Sequence, residues 1–298
     1  MTMTPATGGL PKDLSNRPSS ARLTDYFLGG DDHYAVDRAL ADALTWAAPY
    51  WRLSVVINRA HAAVTADMLA RAGYHQFLDL GSGYPPPWSP HTEDRTAWPL
   101  YQVVRRWHPE AVFVAVDNDP LVGPHARAAH AAAAWTFVAA NAAETARLLG
   151  SPALDCLNAR QPIAVLIHDV LPWIADTCQV AEAMQTLRAV LPPGSVIALT
   201  HATADLHPLT VRRVAGVYQE AGFPGCPGPA RSSPTWLVTG RCTARVWRLP
   251  RTHTAATGCT RRRRGRRPRT RPSLFTLPPL YTEFLMTSDR SLPPRTVR

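Results

Sequence analysis

Cysteine is scarce and unpatterned in this sequence: Cys156, Cys178, Cys226, Cys242 and Cys259 share no CxxC spacing, and their number is odd. Neither a disulfide framework nor a zinc-ligand set is suggested, and no metal is expected. Long apolar runs are missing too, since none approaches the roughly 18 residues of a spanning helix. The opening MTMTPATGGLPKDLSNRPSS lacks the apolar stretch of a secretory leader. A cytoplasmic location, with no membrane partner, is the expectation. Lysine is almost absent, Lys12 being the sole one among 32 basic residues. That bias points to G+C-rich coding and carries no chemistry.

Apolar residues, by contrast, make up 46% of the chain and charged ones 18%, enough apolar surface for a large core. The net charge of +10 is unevenly placed. Residues 1–230 hold 16 basic and 20 acidic side chains, whereas residues 231–298 hold 16 and 2. The basic balance belongs to the tail and does not make the folded part a nucleic-acid binder. Arg261–Arg264, Arg266, Arg267, Arg269 and Arg271 do keep one alternative open, phosphate-backbone binding through the tail alone. The abrupt Arg/Pro/Thr composition is also what out-of-frame G+C-rich coding yields.

Periodicity divides the chain. Residues 1–20 read as a flexible leader. A helix capped by Ser20 is expected to run to Phe27 and stop at Gly29-Gly30, and a second from about Asp32 to Trp46. A third starts near Leu53 with an apolar face of Val56, Ile57, Ala60, Val64 and Met68, closed by Gly73. Short continuous apolar runs follow at 76–80, 112–116, 135–139, 163–167 and 196–200, separated by helix-like stretches. Five such alternations predict an α/β fold with a doubly wound, Rossmann-like parallel sheet. TWLVTG and TARVWRL suggest a terminal hairpin within 223–250, and 251–298 reads as an Arg/Pro-rich disordered tail.

Chemistry concentrates at two strand ends. In FLDLGSG, Asp79 closes on Gly81, Ser82 and Gly83, and the glycines let a ligand approach the backbone. No third glycine follows. Tyr84-Pro85-Pro86-Pro87 replaces it and removes amides that a diphosphate needs, which disfavours a dinucleotide-dependent oxidoreductase. In VAVDNDP, Asp117 is placed to accept both hydroxyls of an adenosine ribose, while Asp119 before Pro120 is read as a helix cap.

Together DLGSG and VDNDP resemble class I methyltransferases. More narrowly, the chain resembles a bacterial S-adenosyl methyltransferase family, formerly a domain of unknown function, over about residues 17–222. Ser19-Ser20-Ala21-Arg22 through Tyr26 to Gly29-Gly30, Asp37-Arg38, Asn58-Arg59, Pro193-Gly194-Ser195 and Thr200-His201-Ala202-Thr203 carry that resemblance. It implies S-adenosylmethionine as cofactor and a small-molecule methyl acceptor. It also implies a methyltransferase core over 53–222 and a helical lid over 21–52. On this reading Asp79, Gly81, Ser82, Gly83 and Asp117 hold the cofactor, with Asn118 and Asn141 on the adenine side. Arg22, Tyr26, Gly29 and Gly30 close over it, and Arg59 supports them. His168 is the candidate acceptor-side base with Asp169 as the residue that would orient it, His201 holds a similar place after the fifth strand, and Trp173 flanks the acceptor. The chain departs from the family at Asp31, His33 and Asn141, and a degenerate, inactive cofactor-binding protein is the second alternative.

Overall fold

The computed structural model describes residues 14–86, 98–129, 135–174, 177–202 and 207–223, and the backbone of 245–248 and 274–275. Five strands pair in parallel: β1 (Gln76–Leu80), β2 (Val112–Asp117), β3 (Thr136–Ala139), β4 (Ala164–His168) and β5 (Val196–Thr200). Two more join antiparallel, β6 (Arg245–Arg248) on β5 and β7 (Leu274–Phe275) on β6. The order is β3-β2-β1-β4-β5-β6-β7. Progression along the sheet therefore reverses between β1 and β4. In open α/β sheets a crevice opens there, beyond the carboxyl ends of the strands.

Side chains alternate between two covered faces, which is why the strands read as continuous apolar runs. Phe77, Phe113, Ala115, Ala164, Leu166 and Ala198 pack beneath α3 (Trp51–Arg71) and α4 (Leu100–Arg105). Leu78, Leu80, Val114, Val165, Ile167 and Ile197 pack on the opposite side against α7 (Thr177–Val190). Short helices α5 (Val122–Ala129) and α6 (Thr145–Leu149) follow β2 and β3. In a third cluster, Leu23 and Phe27 of α1 (Ser20–Leu28) meet Leu40 and Leu44 of α2 (Ala35–Ala47). Val214 and Tyr218 of α8 (Pro208–Glu220) complete it.

Three local expectations change. Ser19, not Ser20, caps α1: its backbone is extended and its Oγ accepts the Arg22 N–H at 3.4 Å. α2 begins at Ala35 rather than Asp32, because the cap falls on Tyr34, whose backbone is extended and whose N–H donates to Asp37 Oδ2 at 2.8 Å. The face of α3 that packs on the sheet is Ala62, Ala63, Ala66, Leu69 and Ala70. Val56, Ile57 and Met68 of the expected face are about 40% exposed (40%, 39% and 41%). Small side chains let the helix axis come close to the strands, and that contact outcompetes the larger residues opposite.

TARVWRL contributes β6, but its partners are β5 and Leu274–Phe275; TWLVTG lies outside the described residues, as does the arginine run. No helix among the described residues is long and apolar enough to cross a membrane.

Candidate functional site

The loop after β1 folds back on β2. The Gly81 and Ser82 N–H groups both donate to the Val116 carbonyl, at 2.7 and 3.0 Å. Gly81 has φ +73°, and a Cβ there would lie 2.3 Å from Val170 Cγ2 of the segment after β4. Glycine is required on both counts. The Gly83 N–H then donates to Asp117 Oδ2 at 2.8 Å, while Asp117 Oδ1 accepts the Asp119 N–H at 2.9 Å. Burial raises the Asp117 carboxyl from its ordinary range, and these amides act against the shift. Asp119 takes the capping place, accepting the Leu121 N–H at 2.8 Å, and it also receives the Ser19 hydroxyl from the start of α1.

A cavity of about 400 Å³ opens above these tips, a volume typical of small-molecule sites. Asp79, Gly81, Ser82 and Gly83 form its floor, Asp117 and Asn118 one side, and Ala140–Ala143 the next. Ser20, Ala21 and Thr24 of α1 and Val55, Asn58, Arg59 and Ala62 of α3 wall it, and His168, Asp169 and Trp173 lie at the β4 end.

The α3 wall is electrostatically unusual. The Arg59 guanidinium is buried, donates through Nη2 to the Trp98 carbonyl at 3.3 Å, and leaves Nε without a partner. Its charge acts on Asp79, the carboxylate at the tip of β1. Burial nevertheless drives the Asp79 carboxyl up to about 7, with Arg59 opposing and Asp117 adding to the rise. His168, on the α3 side of β4, has both ring nitrogens buried and unpartnered, and burial pulls its pKa down to about 3, helped by His61 and Arg59. The His61 ring centroid is 5.5 Å away and its Nε2 is likewise unpartnered. All four buried side-chain atoms found without a hydrogen bond among the described residues belong to Arg59, His61 and His168. An unmet buried polar group costs about 1–3 kcal/mol, so these atoms are candidates for contact with a ligand.

Asp169 follows with φ +55°, a left-handed conformation uncommon outside glycine. Its N–H donates to Thr200 Oγ1 at 3.0 Å, and that hydroxyl donates to Asn58 Oδ1 at 2.6 Å. Three elements thereby hold the turn, and burial pushes the Asp169 carboxyl up to about 7.

The geometry gathers Asp79, Gly81, Ser82, Gly83, Asp117, Asn118, Asn141, Arg59, His168 and Asp169 around one space. Asn141 Oδ1 also accepts the Ala143 N–H at 2.9 Å. Arg22, Tyr26, Gly29, Gly30 and His201 are not among the lining residues. Arg22 turns into the protein, where its Nε meets Asp37 Oδ2 at 2.7 Å and its Nη2 meets the Leu14 and Arg17 carbonyls. Tyr26 packs edge-on against His33. Gly29 caps α1 with φ +86°, and Gly30 sits against the Asp25 carboxylate, so both serve the α1–α2 turn. His201 points its Nδ1 at the Ala202 carbonyl. Sequence reasoning missed His61, Thr200 and Val55. Val55 and His61 both come from α3, Val55 lining the cavity and His61 packing against His168, while Thr200 holds the Asp169 turn from the end of β5.

A sequence profile described as S-adenosyl methyltransferase matches residues 11–232. Among solved structures, a DUF574 family protein from Streptomyces avermitilis MA-4680 is 29% identical, with a TM-score of 0.65 over 72% of this chain and 80% of that one. A protein from Thermobifida fusca YX is also 29% identical, with a TM-score of 0.65 over 74% of this chain and 79% of that one. No curated protein matches.

Proposed function

The chain belongs to the S-adenosyl methyltransferase family, and from that premise we propose that this copy is an active enzyme transferring a methyl group from S-adenosylmethionine to a small-molecule acceptor. The cofactor supplies an electrophilic methyl group on a sulfonium. The observation that carries the reading is Asp117, a buried carboxylate at the β2 tip that ties down the glycine loop and lines the cavity. Its oxygens accept the two ribose hydroxyls, with Asn118 and Asn141 beside the adenine. Gly81, Ser82 and Gly83 pass under the cofactor without side-chain interference.

The pairing of Arg59 with Asp79 fits the zwitterionic end of the methionine moiety. The unpartnered Nε of Arg59 takes the carboxylate, and Asp79 takes the ammonium. Asp169 accepts the proton that an oxygen or nitrogen acceptor must lose, and a carboxyl poised about 7 suits that task. His168, held neutral by burial, hydrogen-bonds the acceptor rather than removing its proton. His201 takes no part in this reading. Methyl transfer needs mainly placement and a dry cleft, and the α1 and α3 walls flank the cavity.

The test is calorimetric titration with S-adenosylhomocysteine. Wild-type protein should bind, and Asp117→Ala should bind about 2–3 kcal/mol more weakly while melting cooperatively. Equal affinity in the two proteins would remove Asp117 from the site and the reading with it.

A further inference from the structure

α3 carries a second apolar face that the described fold leaves largely open: Leu53, Val56, Ile57 and Met68 are exposed, and Ala60 and Val64 half-buried. Its inner side sets Val55, Asn58, Arg59 and Ala62 against the cavity and Ala62, Ala66, Leu69 and Ala70 against the sheet. Opposite those alanines, at ~100° per residue, run Leu53, Ile57, Ala60, Val64 and Met68, with Val56 at the margin. Amphipathic surface helices put charge on this side. Here no charged residue joins the stripe before the Asp67–Arg71 ion pair at its far end. Tyr50 (79% exposed) extends the stripe past the start of α3, and Trp46 (88% exposed) stands on the last turn of α2 just before it.

We propose that this face is the interface of a homodimer in which two copies of α3 pack antiparallel across a two-fold axis near Ala60. Two observations select a second copy of this chain. The first is the order of sizes along the stripe. Ala60 has Ile57 and Val64 on either side, then Leu53 and Met68, so the pattern reads nearly the same in both directions. An isologous interface demands that self-complementarity. Leu53 of one copy then lies across from Met68 of the other, Ile57 across from Val64, and the small Ala60 side chains let the helix axes approach to ~8–9 Å.

The second observation is area. Trp46, Tyr50, Leu53, Val56, Ile57 and Met68 are exposed by 88, 79, 49, 40, 39 and 41%. For side chains of this size the exposed surface totals roughly 700 Å², close to the ~800 Å² per partner of a standard stable interface and beyond the usual monomer patch. The same helix walls the cavity with its other side, so pairing would brace the cavity from behind.

Sedimentation velocity on the full chain at 1–100 μM tests the proposal, since it reads twice the 32.6 kDa chain mass for a dimer. Ile57→Glu and Leu53→Glu should each shift the species to monomer, with at least a hundredfold weaker association and an unchanged far-ultraviolet spectrum. Ile57→Leu should remain dimeric. Ala60→Cys should form a covalent dimer under mild oxidation beyond any formed by the parent, whose Cys156 and Cys178 are exposed. A monomer throughout the concentration range overturns the proposal. So does a dimer that survives Ile57→Glu and Leu53→Glu, or one that disappears only when residues 224–298 are removed.

Discussion

Replacing Asp37 with alanine should release α1 from the fold and weaken the cavity it walls. Asp37 is fully buried (0% exposed) and accepts three N–H groups: Ser19 at 2.9 Å, Tyr34 at 2.8 Å and Arg22 Nε at 2.7 Å. Arg22 is itself 2% exposed, so the substitution leaves a cation buried without its counter-charge. Removing one partner of such a pair costs about 3–5 kcal/mol. The two amides add about 1–3 kcal/mol each if they stay dry. Those costs together exceed what one helix can bear, and local detachment of α1 sets the ceiling. The expected loss in urea-measured stability is therefore about 3–5 kcal/mol. It should come with faster hydrogen exchange at Leu23, whose N–H bonds the Ser19 carbonyl at 2.9 Å. S-adenosylhomocysteine affinity should fall in parallel, because Ser20, Ala21 and Thr24 reach the cavity from that helix. Arg22→Met combined with Asp37→Leu should recover only the part owed to the unpaired cation, because the Ser19 and Tyr34 amides still lack their acceptor. A loss below ~1 kcal/mol, with Leu23 exchange unchanged, would refute the argument that this pair anchors α1.

The remaining expectations concern pH and the glycine loop. Asp79 is raised to about 7 by burial, against an unfolded carboxyl near ~3.9, so between these values the native state holds a proton that the unfolded chain has lost. The stability contributed by Asp79 is thus present below ~4 and lost as pH rises towards 7. Asp79→Asn should flatten that part of the urea-measured profile; an identical slope in both proteins would place the titration elsewhere. Cofactor affinity should run the opposite way and strengthen as pH rises through about 7, since an ammonium prefers the carboxylate form, and calorimetry with Asp79→Asn should show no such rise. Gly81→Ala meets Val170 at 2.3 Å as well as φ +73°, whereas at Gly83 a Cβ meets nothing within 4 Å and only φ +63° opposes it. Gly83→Ala should cost about 1–2 kcal/mol and Gly81→Ala distinctly more, measured by thermal melting. Equal costs would show that Val170 gives way freely.

What the sequence determined by itself is the five-stranded parallel part of the sheet and the tips of its first two strands. β1 and β5 fall where the continuous apolar runs place them, since a strand covered on both faces needs apolar side chains in both directions. Asp119 before Pro120 and the glycines after Asp79 are equally legible, because caps and positive-φ turns are set by neighbouring residues alone. The walls of the cavity were decided only in three dimensions. Helical spacing on α3 marked the face of Val56, Ile57, Ala60, Val64 and Met68, yet the sheet takes the opposite one, through the close approach allowed by Ala62, Ala66 and Ala70. Arg22 has the charge expected of a ligand contact, yet Asp37, fifteen residues on, claims it at 2.7 Å. Thr200 reaches Asn58 across 142 positions of sequence, and His61 meets His168 through the packing of α3 on β4. Such partnerships depend on how whole elements dock, and docking is set by the summed burial of many side chains, which no local pattern records.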